Sequence, residues 1–115
     1  MFRHMKWSKA EKKVARRAYD LAYRRECEAL IKEVKARSRK VAEPDELWSL
    51  ADYLWAHRQE IDDKYDYRYS VLPLVFARLA SEGWLSLADL EGLDPDKLAT
   101  IEGLLGPNDE GETDG

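Results

Sequence analysis

The chain has few of the residues on which catalysis and covalent cross-linking depend. Its single cysteine, Cys27, excludes an internal disulfide and fits a reducing compartment. There are only two histidines, His4 and His57, and none of the six glycines precedes Gly83. An activated nucleophile, a clustered metal site and a glycine-rich phosphate loop therefore all lack their components. We expect a protein that is not an enzyme and that holds no cofactor and no metal ion.

Long hydrophobic runs are also missing. No stretch approaches the roughly 18–20 apolar residues that a membrane span requires, and no apolar signal region follows the basic N-terminus. With 115 residues, the chain has the length of one domain. These properties predict a cytoplasmic protein without a membrane association.

Each half of the sequence is poor in charge of one sign. Residues 1–40 contain 14 Lys and Arg against 5 Asp and Glu, whereas residues 41–115 contain 5 against 18. A basic segment is typical of nucleic-acid binding, but these cations alternate with acidic and apolar residues, and the acidic remainder would repel a polyanion. We therefore favour neutralisation within the chain or between chains, and expect no nucleic-acid partner.

Helical periodicity is the dominant pattern. Ser8 and Glu11 form a capping box, and no glycine or proline interrupts the residues that follow as far as about Lys40. A helix of about 30 residues is about 45 Å long, which exceeds a compact domain of this size. Its apolar stripe consists of Tyr19, Tyr23, Cys27, Leu30 and Val34, and its small-residue flank of Ala15, Ala22 and Ala29. We expect a second chain to cover the stripe. The alternative is a break near residues 37–41 that folds the helix back.

Shorter helices follow this long one. The second begins near Pro44 and carries Trp48 and Trp55 one heptad apart, which are either core residues or a contact surface. Ser70, Ser86 and Asp94 are expected to cap the remaining helices. The predicted organisation is a flexible N-terminus (1–7), one helical domain (8–105, with a stem at 8–66 and a head at 67–105) and a disordered acidic tail (106–115).

An irregular pattern occupies residues 46–83, which read ELWSLADYLWAHRQEIDDKYDYRYSVLPLVFARLASEG. Its elements include Leu-Trp-x-Leu-x-Asp-(Phe/Tyr)-Leu, followed by Arg-x-Glu-Ile-Asp-x-Lys-Tyr-Asp-x-Arg-x-Ser-Val. This pattern resembles the fluorescence recovery protein family of cyanobacteria. The resemblance is strong over about a third of the chain and extends weakly over the preceding long helix and the last two helices.

The resemblance implies a fold and a function. The implied fold is all-α, with a long stem helix and a small helical head in an elongated antiparallel homodimer. The implied function is a non-enzymatic regulator that binds the photoactivated orange carotenoid protein, mainly through that partner's C-terminal domain. It would accelerate the partner's return to the resting orange form and so end photoprotective quenching. The alternative is a dimeric helical adaptor of the same fold with a different, non-photoprotective partner.

The resemblance also assigns roles to residues. The family's functional Trp, Asp and Arg fall on Trp48, Asp52 and Arg58, and a leucine of its dimer interface falls on Leu47. For Trp48 and Asp52 the alternative is capping or packing at the dimer seam. For Arg58 it is a salt bridge to Asp62 on the same helix face.

The sequence departs from the family at three further positions. Ala51 replaces a histidine, Leu74 a phenylalanine that contacts the partner, and Thr100 a basic residue. The predicted partner-binding residues are Arg58, Leu74 and Thr100, and the predicted dimer-interface residues are Leu30, Leu47, Trp48, Ala51 and Asp52. The departures predict a divergent homologue, and an organism without phycobilisomes is a source that would fit them. Its partner would be an orange carotenoid protein or a related carotenoid-binding protein.

Overall fold

A computed structural model describes Phe2 and residues 5–106 of the chain. The described part is helical throughout, and its only β feature is an isolated bridge between Glu91 and Leu93. Its elements are α1 (Lys9–Ser38), α2 (Pro44–Lys64), α3 (Leu72–Ser81), a 3-10 helix (Leu87–Leu90) and α4 (Pro95–Leu105). The all-α prediction is confirmed. The predicted disordered tail lies, after Gly106, outside the described residues, as do residues 1, 3 and 4 of the predicted flexible start.

Helix α1 forms the long axis of the molecule. The backbone amide of Glu11 donates to Ser8 Oγ at 3.1 Å, and the amide of Ser8 donates to Glu11 Oε1 at 3.0 Å, so the predicted capping box is present. The 30 residues of α1 give a length of about 45 Å at 1.5 Å per residue. The molecule measures 53 × 36 × 22 Å along its principal axes, which confirms the elongated shape.

Helix α2 runs back along α1 to form a two-helix stem. The turn between them closes where the Glu46 carboxylate accepts the backbone amides of Ala42 and Glu43. Near this turn the Arg37 guanidinium lies 3.8 Å from the centre of the Tyr53 ring. The break expected as an alternative near residues 37–41 is therefore present, and it follows a full-length α1.

The buried face of α1 is its small-residue face. Ala15, Ala18 and Ala22 are no more than 1 % exposed and pack against the helices of the head. The buried head residues in this core are Leu72, Val75, Phe76, Ala77, Leu79, Leu85, Leu90, Leu93 and Ile101. Alanine allows this close approach because it has almost no side chain. The predicted small-residue flank was Ala15, Ala22 and Ala29. Ala15 and Ala22 are buried, whereas Ala29 is exposed.

The caps of the shorter helices follow two different rules. Ser86 and Asp94 occupy the N-cap positions, as predicted. The Asp94 side chain accepts the amide of Lys97, whereas at Ser86 the Asp89 carboxylate accepts the backbone amide and the hydroxyl of the cap residue. The prediction that Ser70 caps α3 is wrong, because the N-cap is Val71 and no side chain caps it. The backbone amides of Val71 and Leu72 instead donate to the Arg68 carbonyl, so a tight turn replaces the cap.

Gly92 provides a test of the packing between α1 and the head. Its φ is +113°, and a Cβ at this position would lie 2.7 Å from Val14 Cγ2 on α1. Gly92→Ala should therefore lower the free energy of unfolding by about 1–3 kcal/mol, because it adds backbone strain and a steric clash. Gly103 is the control: it lies within α4 with nothing within 4 Å of its Cβ position. Gly103→Ala should stabilise by about 0.5–1 kcal/mol. Urea denaturation measures both, and an unchanged stability in Gly92→Ala would contradict the close approach to α1.

Candidate protein-binding surface

The described residues offer little for chemistry at a buried centre. They contain no group of three or more His, Cys, Asp and Glu side chains that could hold a metal ion. Cys27 is half-buried on α1, and the His57 ring packs 4.4 Å from the Tyr53 ring between the stem helices. None of the helices in this part of the chain is both long and apolar enough to cross a bilayer.

The outward face of α2 exposes large apolar side chains. Between 43 and 65 % of the surface of each of these residues is accessible: Leu47, Trp48, Leu54 and Trp55. Their spacing places them on one side of the helix, while Tyr53 and Ile61 face α1. In the single chain the core prediction for the two tryptophans is wrong, and they form an exposed surface. We call these four residues the apolar row. Contiguous exposed patches of this kind mark interaction sites.

The predicted stripe of α1 lies at the side of the stem. Leu30 is half-buried and lines a small cavity with Tyr53 and His57 of α2. Tyr23 is 47 % exposed and lines a groove with Asp62, one turn after Arg58. The stripe is thus only partly covered within one chain. The face of α1 that the head buries is a different one, formed by alanines, and the hydrophobic pattern did not identify it.

The predicted residues of the stem share one exposed surface. Ala51 and Asp52 are exposed on α2 next to the apolar row, between Trp48 and Trp55. Arg58 lies one turn beyond that row, and its Nε is 3.6 Å from Asp62 Oδ2. This is the salt bridge considered as an alternative for Arg58. Both of its side chains are mostly exposed, so the pair contributes little to stability.

The predicted residues of the head lie on other elements. Leu74 is half-buried on α3, and Thr100 is half-buried on α4. The Thr100 hydroxyl donates to the Asp96 carbonyl at 2.9 Å, so this side chain is engaged within its own helix. The predicted partner-binding residues therefore occupy two places, with Arg58 on the stem and the other two on the head.

An ion cluster that the sequence did not reveal lies where the stem meets the head. Lys64 Nζ is 2.6 Å from Glu26 Oε2 and 2.6 Å from Glu82 Oε1, and its side chain is 0 % exposed. The Tyr65 hydroxyl donates to Glu26 at 2.8 Å, and Trp84 Nε1 donates to Glu82 at 3.2 Å. Burial and the hydrogen bond to Glu26 both raise the pKa of Tyr65. We call this group the Lys64 cluster.

A second buried lysine joins α1 to α4. Lys97 Nζ is 3.1 Å from Asp94 Oδ2 and 3.2 Å from Glu11 Oε2, and it lies 5.0 Å from the centre of the Trp7 ring. Burial acts to lower the pKa of Lys97, but the carboxylates of Asp94 and Glu11 outweigh it and hold the pKa above its usual range. We call Lys97, Glu11 and Asp94 the Lys97 cluster. Sequence patterns had assigned Glu11 only a capping role.

The sequence and the fold are both similar to those of known proteins. Residues 7–105 match the family described as photoprotection regulator fluorescence recovery protein. The fluorescence recovery protein of Synechocystis sp. (strain PCC 6803) is 42% identical over 98 residues, which cover 85% of this chain and 90% of that protein. The structure of the Fremyella diplosiphon fluorescence recovery protein has a TM-score of 0.83 and 48% identity, covering 87% of this chain and 98% of that one. The Synechocystis structure has a TM-score of 0.83 and 41% identity.

The fold is all-α, and the matching family is described as a photoprotection regulator. Both the sequence and the fold agree with the same group over nearly the whole chain. The chain belongs to the fluorescence recovery protein family.

The ion clusters predict how stability depends on pH. Burial acts to raise the pKa values of Glu11 and Glu82, but hydrogen bonds and cations outweigh it and hold both below the usual 4.5. Their contribution is complete above the unfolded-state pKa and is lost as pH falls through the lower folded-state values. The contribution of Lys97, whose pKa is raised above 10.5, is complete below that value and is lost as pH rises through the folded-state pKa.

The free energy of unfolding should therefore be level between about pH 5 and 10 and should fall on either side. Urea denaturation at a series of pH values measures this profile. Replacing Glu11 and Glu82 by glutamine should make the acid side of the profile shallower, because two of the carboxylates with a lowered pKa are then absent. The slope that remains comes from Asp66, Asp89 and Asp94, whose pKa values are also lowered. An acid limb as steep as that of the wild type would contradict this assignment.

Proposed function

We propose that this protein binds the photoactivated form of an orange carotenoid protein, or of a related carotenoid-binding protein, through that partner's C-terminal domain. Binding accelerates the return of the partner to its resting orange form and ends photoprotective quenching. The observation that carries this proposal is the match to the family over residues 7–105. The action is non-enzymatic in this proposal: the return is accelerated because the protein binds the conformations on the route back to the resting form more tightly than the photoactivated form itself. We also propose that the protein is cytoplasmic.

We propose further that the working form is an antiparallel homodimer. The apolar row on α2 is a contiguous exposed apolar patch, which is typical of an interaction site. A second copy of the same row would cover it in a two-fold dimer. In a two-fold arrangement Leu47, Trp48, Ala51 and Asp52 of each chain lie at the interface, with Leu30 of α1 at its edge. The elongated stem supplies the length that such an interface requires.

The partner surface combines stem and head in this proposal. Arg58 offers a guanidinium to a carboxylate of the partner, because its present ion pair with Asp62 is exposed and weak. Leu74 and Thr100 supply the head contacts. Relative to the family pattern, Leu74 keeps an apolar contact without an aromatic ring, and Thr100 removes a positive charge.

A different partner is the second candidate function. It is favoured by the changes at Ala51, Leu74 and Thr100, which alter the surface while the fold is retained. In that case the protein is a dimeric helical adaptor, and the stem interface is unchanged. The two candidates differ only in which protein binds the head and Arg58.

The dimer is tested by Leu47→Glu. This change places a charge within the apolar row, so the mass measured by light scattering should fall from that of two chains toward that of one. Ala56→Glu is the matched control, because Ala56 is an exposed residue of α2 on the side away from Leu47. The control should keep the wild-type mass. A Leu47→Glu variant with an unchanged mass would remove Leu47 from the interface.

The regulatory function is tested by the dark recovery rate of photoactivated orange carotenoid protein, measured with and without an equimolar amount of this protein. We expect acceleration, and we expect Arg58→Ala to weaken binding by about 1–2 kcal/mol, since interface arginines frequently dominate affinity. Arg24→Ala is the control, because Arg24 has a comparable exposed pair with Glu28 at 3.5 Å. If a folded dimer accelerates no carotenoid protein of several types, the adaptor function is favoured instead.

A further inference from the structure

The Lys64 cluster connects three helices at one point. Lys64 is the last residue of α2, Glu26 lies in the middle of α1, and Glu82 is the C-cap residue that follows α3. Arg78 of α3 adds a second connection, since its Nε is 3.0 Å from Glu82 and its Nη2 is 4.0 Å from Glu60 of α2. Both stem helices are thus joined to the head through charged groups at the junction.

Stability alone does not account for a buried cation at this place. Removing a lysine and its carboxylates from water costs several kcal/mol, and apolar side chains of similar volume often hold a protein together equally well. Ion pairs differ from apolar contacts in their direction: two of the N–H groups of Lys64 each point to one carboxylate at 2.6 Å. The particular contribution of the cluster is therefore the orientation of the head relative to α2.

We propose that Lys64 is a positioning residue for partner binding. By holding Glu26 and Glu82 it sets the angle between α2 and the head, so that Arg58 of α2 and the head contacts meet the partner together. This inference rests on the proposed function, in which stem and head both touch the partner. Two linked contact sites reinforce one another only when their geometry allows both to be engaged at once.

The test replaces the Lys64 cluster without leaving a buried unpaired charge, because Arg78, which loses its contact with Glu82, is exposed. The variant combines Lys64→Met, Glu26→Gln and Glu82→Gln, which preserves volume and keeps hydrogen-bonding groups for Tyr65 and Trp84. We expect a folded dimer whose affinity for photoactivated orange carotenoid protein is reduced by about tenfold or more, because simultaneous engagement of stem and head is lost.

The Lys97 cluster supplies a matched control. Lys97→Met, Glu11→Gln and Asp94→Asn also neutralise a buried lysine with two carboxylates. Gln and Asn still serve as capping residues at these positions. The Lys97 cluster joins α1 to α4 and includes no residue of α2. The control variant should lose a similar amount of stability but keep the wild-type affinity.

A direct measurement of orientation separates positioning from stability. Spin labels at Gln59→Cys on α2 and Glu102→Cys on α4, in a Cys27→Ser background, report the distance between stem and head by electron double resonance. Both labelled positions are exposed. Each labelled chain is paired with unlabelled protein so that distances within one chain are measured. The distribution should broaden or shift in the Lys64 triple variant and should match the wild type in the Lys97 triple variant.

The outcomes are distinct. Equal losses of affinity in the two triple variants, or an unchanged distance distribution in the Lys64 variant, would overturn the inference. If the Lys64 triple variant does not fold, Lys64→Arg replaces it: the charge remains, but the wider guanidinium should shift the distance and weaken binding. If wild-type protein does not bind the carotenoid protein, the proposed function fails, whereas the distance measurement still decides whether Lys64 orients the head.

Discussion

The contact between the alanine face of α1 and the head is the constraint on which the rest of the structure depends. Ala15, Ala18 and Ala22 share one buried core with side chains of the head such as Phe76 and Ile101, and the closest approach of α1 to the head is at the 3-10 helix. One continuous helix therefore supplies both the wall of the head core and one half of the stem. Helix α2, which carries the exposed surface of the stem, is joined to this frame at Lys64.

Helix boundaries were predictable because they depend on local chemistry. Ser8 with Glu11, and Asp94 ahead of α4, recruit backbone amides within three residues, so short motifs identify them. The start of α3 was predicted incorrectly because a backbone turn at Arg68 provides what a serine side chain would have supplied. The division into stem and head regions at residue 66 stays a prediction, as does the source of the chain.

The buried face of α1 and the Lys64 cluster were harder to predict for a different reason. Hydrophobic periodicity predicts that large side chains such as Tyr23 are buried. In the structure Tyr23 is exposed, and the side chains of α1 that the head buries are the small alanines. Lys64 resembles an ordinary basic residue at the C-terminal end of a helix, because the carboxylates that bury it are 38 and 18 residues away along the chain. The roles of Arg58, Leu74 and Thr100 came only from the family resemblance, since no periodicity distinguishes them from other surface residues.

The continuity of α1 has a mechanical consequence. A helix of 30 residues is a stiff rod, and one end of it is embedded in the head while the other forms the tip of the stem. Such a rod acts as a lever, so that a small tilt at the head becomes a much larger displacement at the far tip. A tilt of the head by a few degrees would thus displace the tip of the stem, which lies about 24 Å beyond Ala22, without any local change in the stem itself.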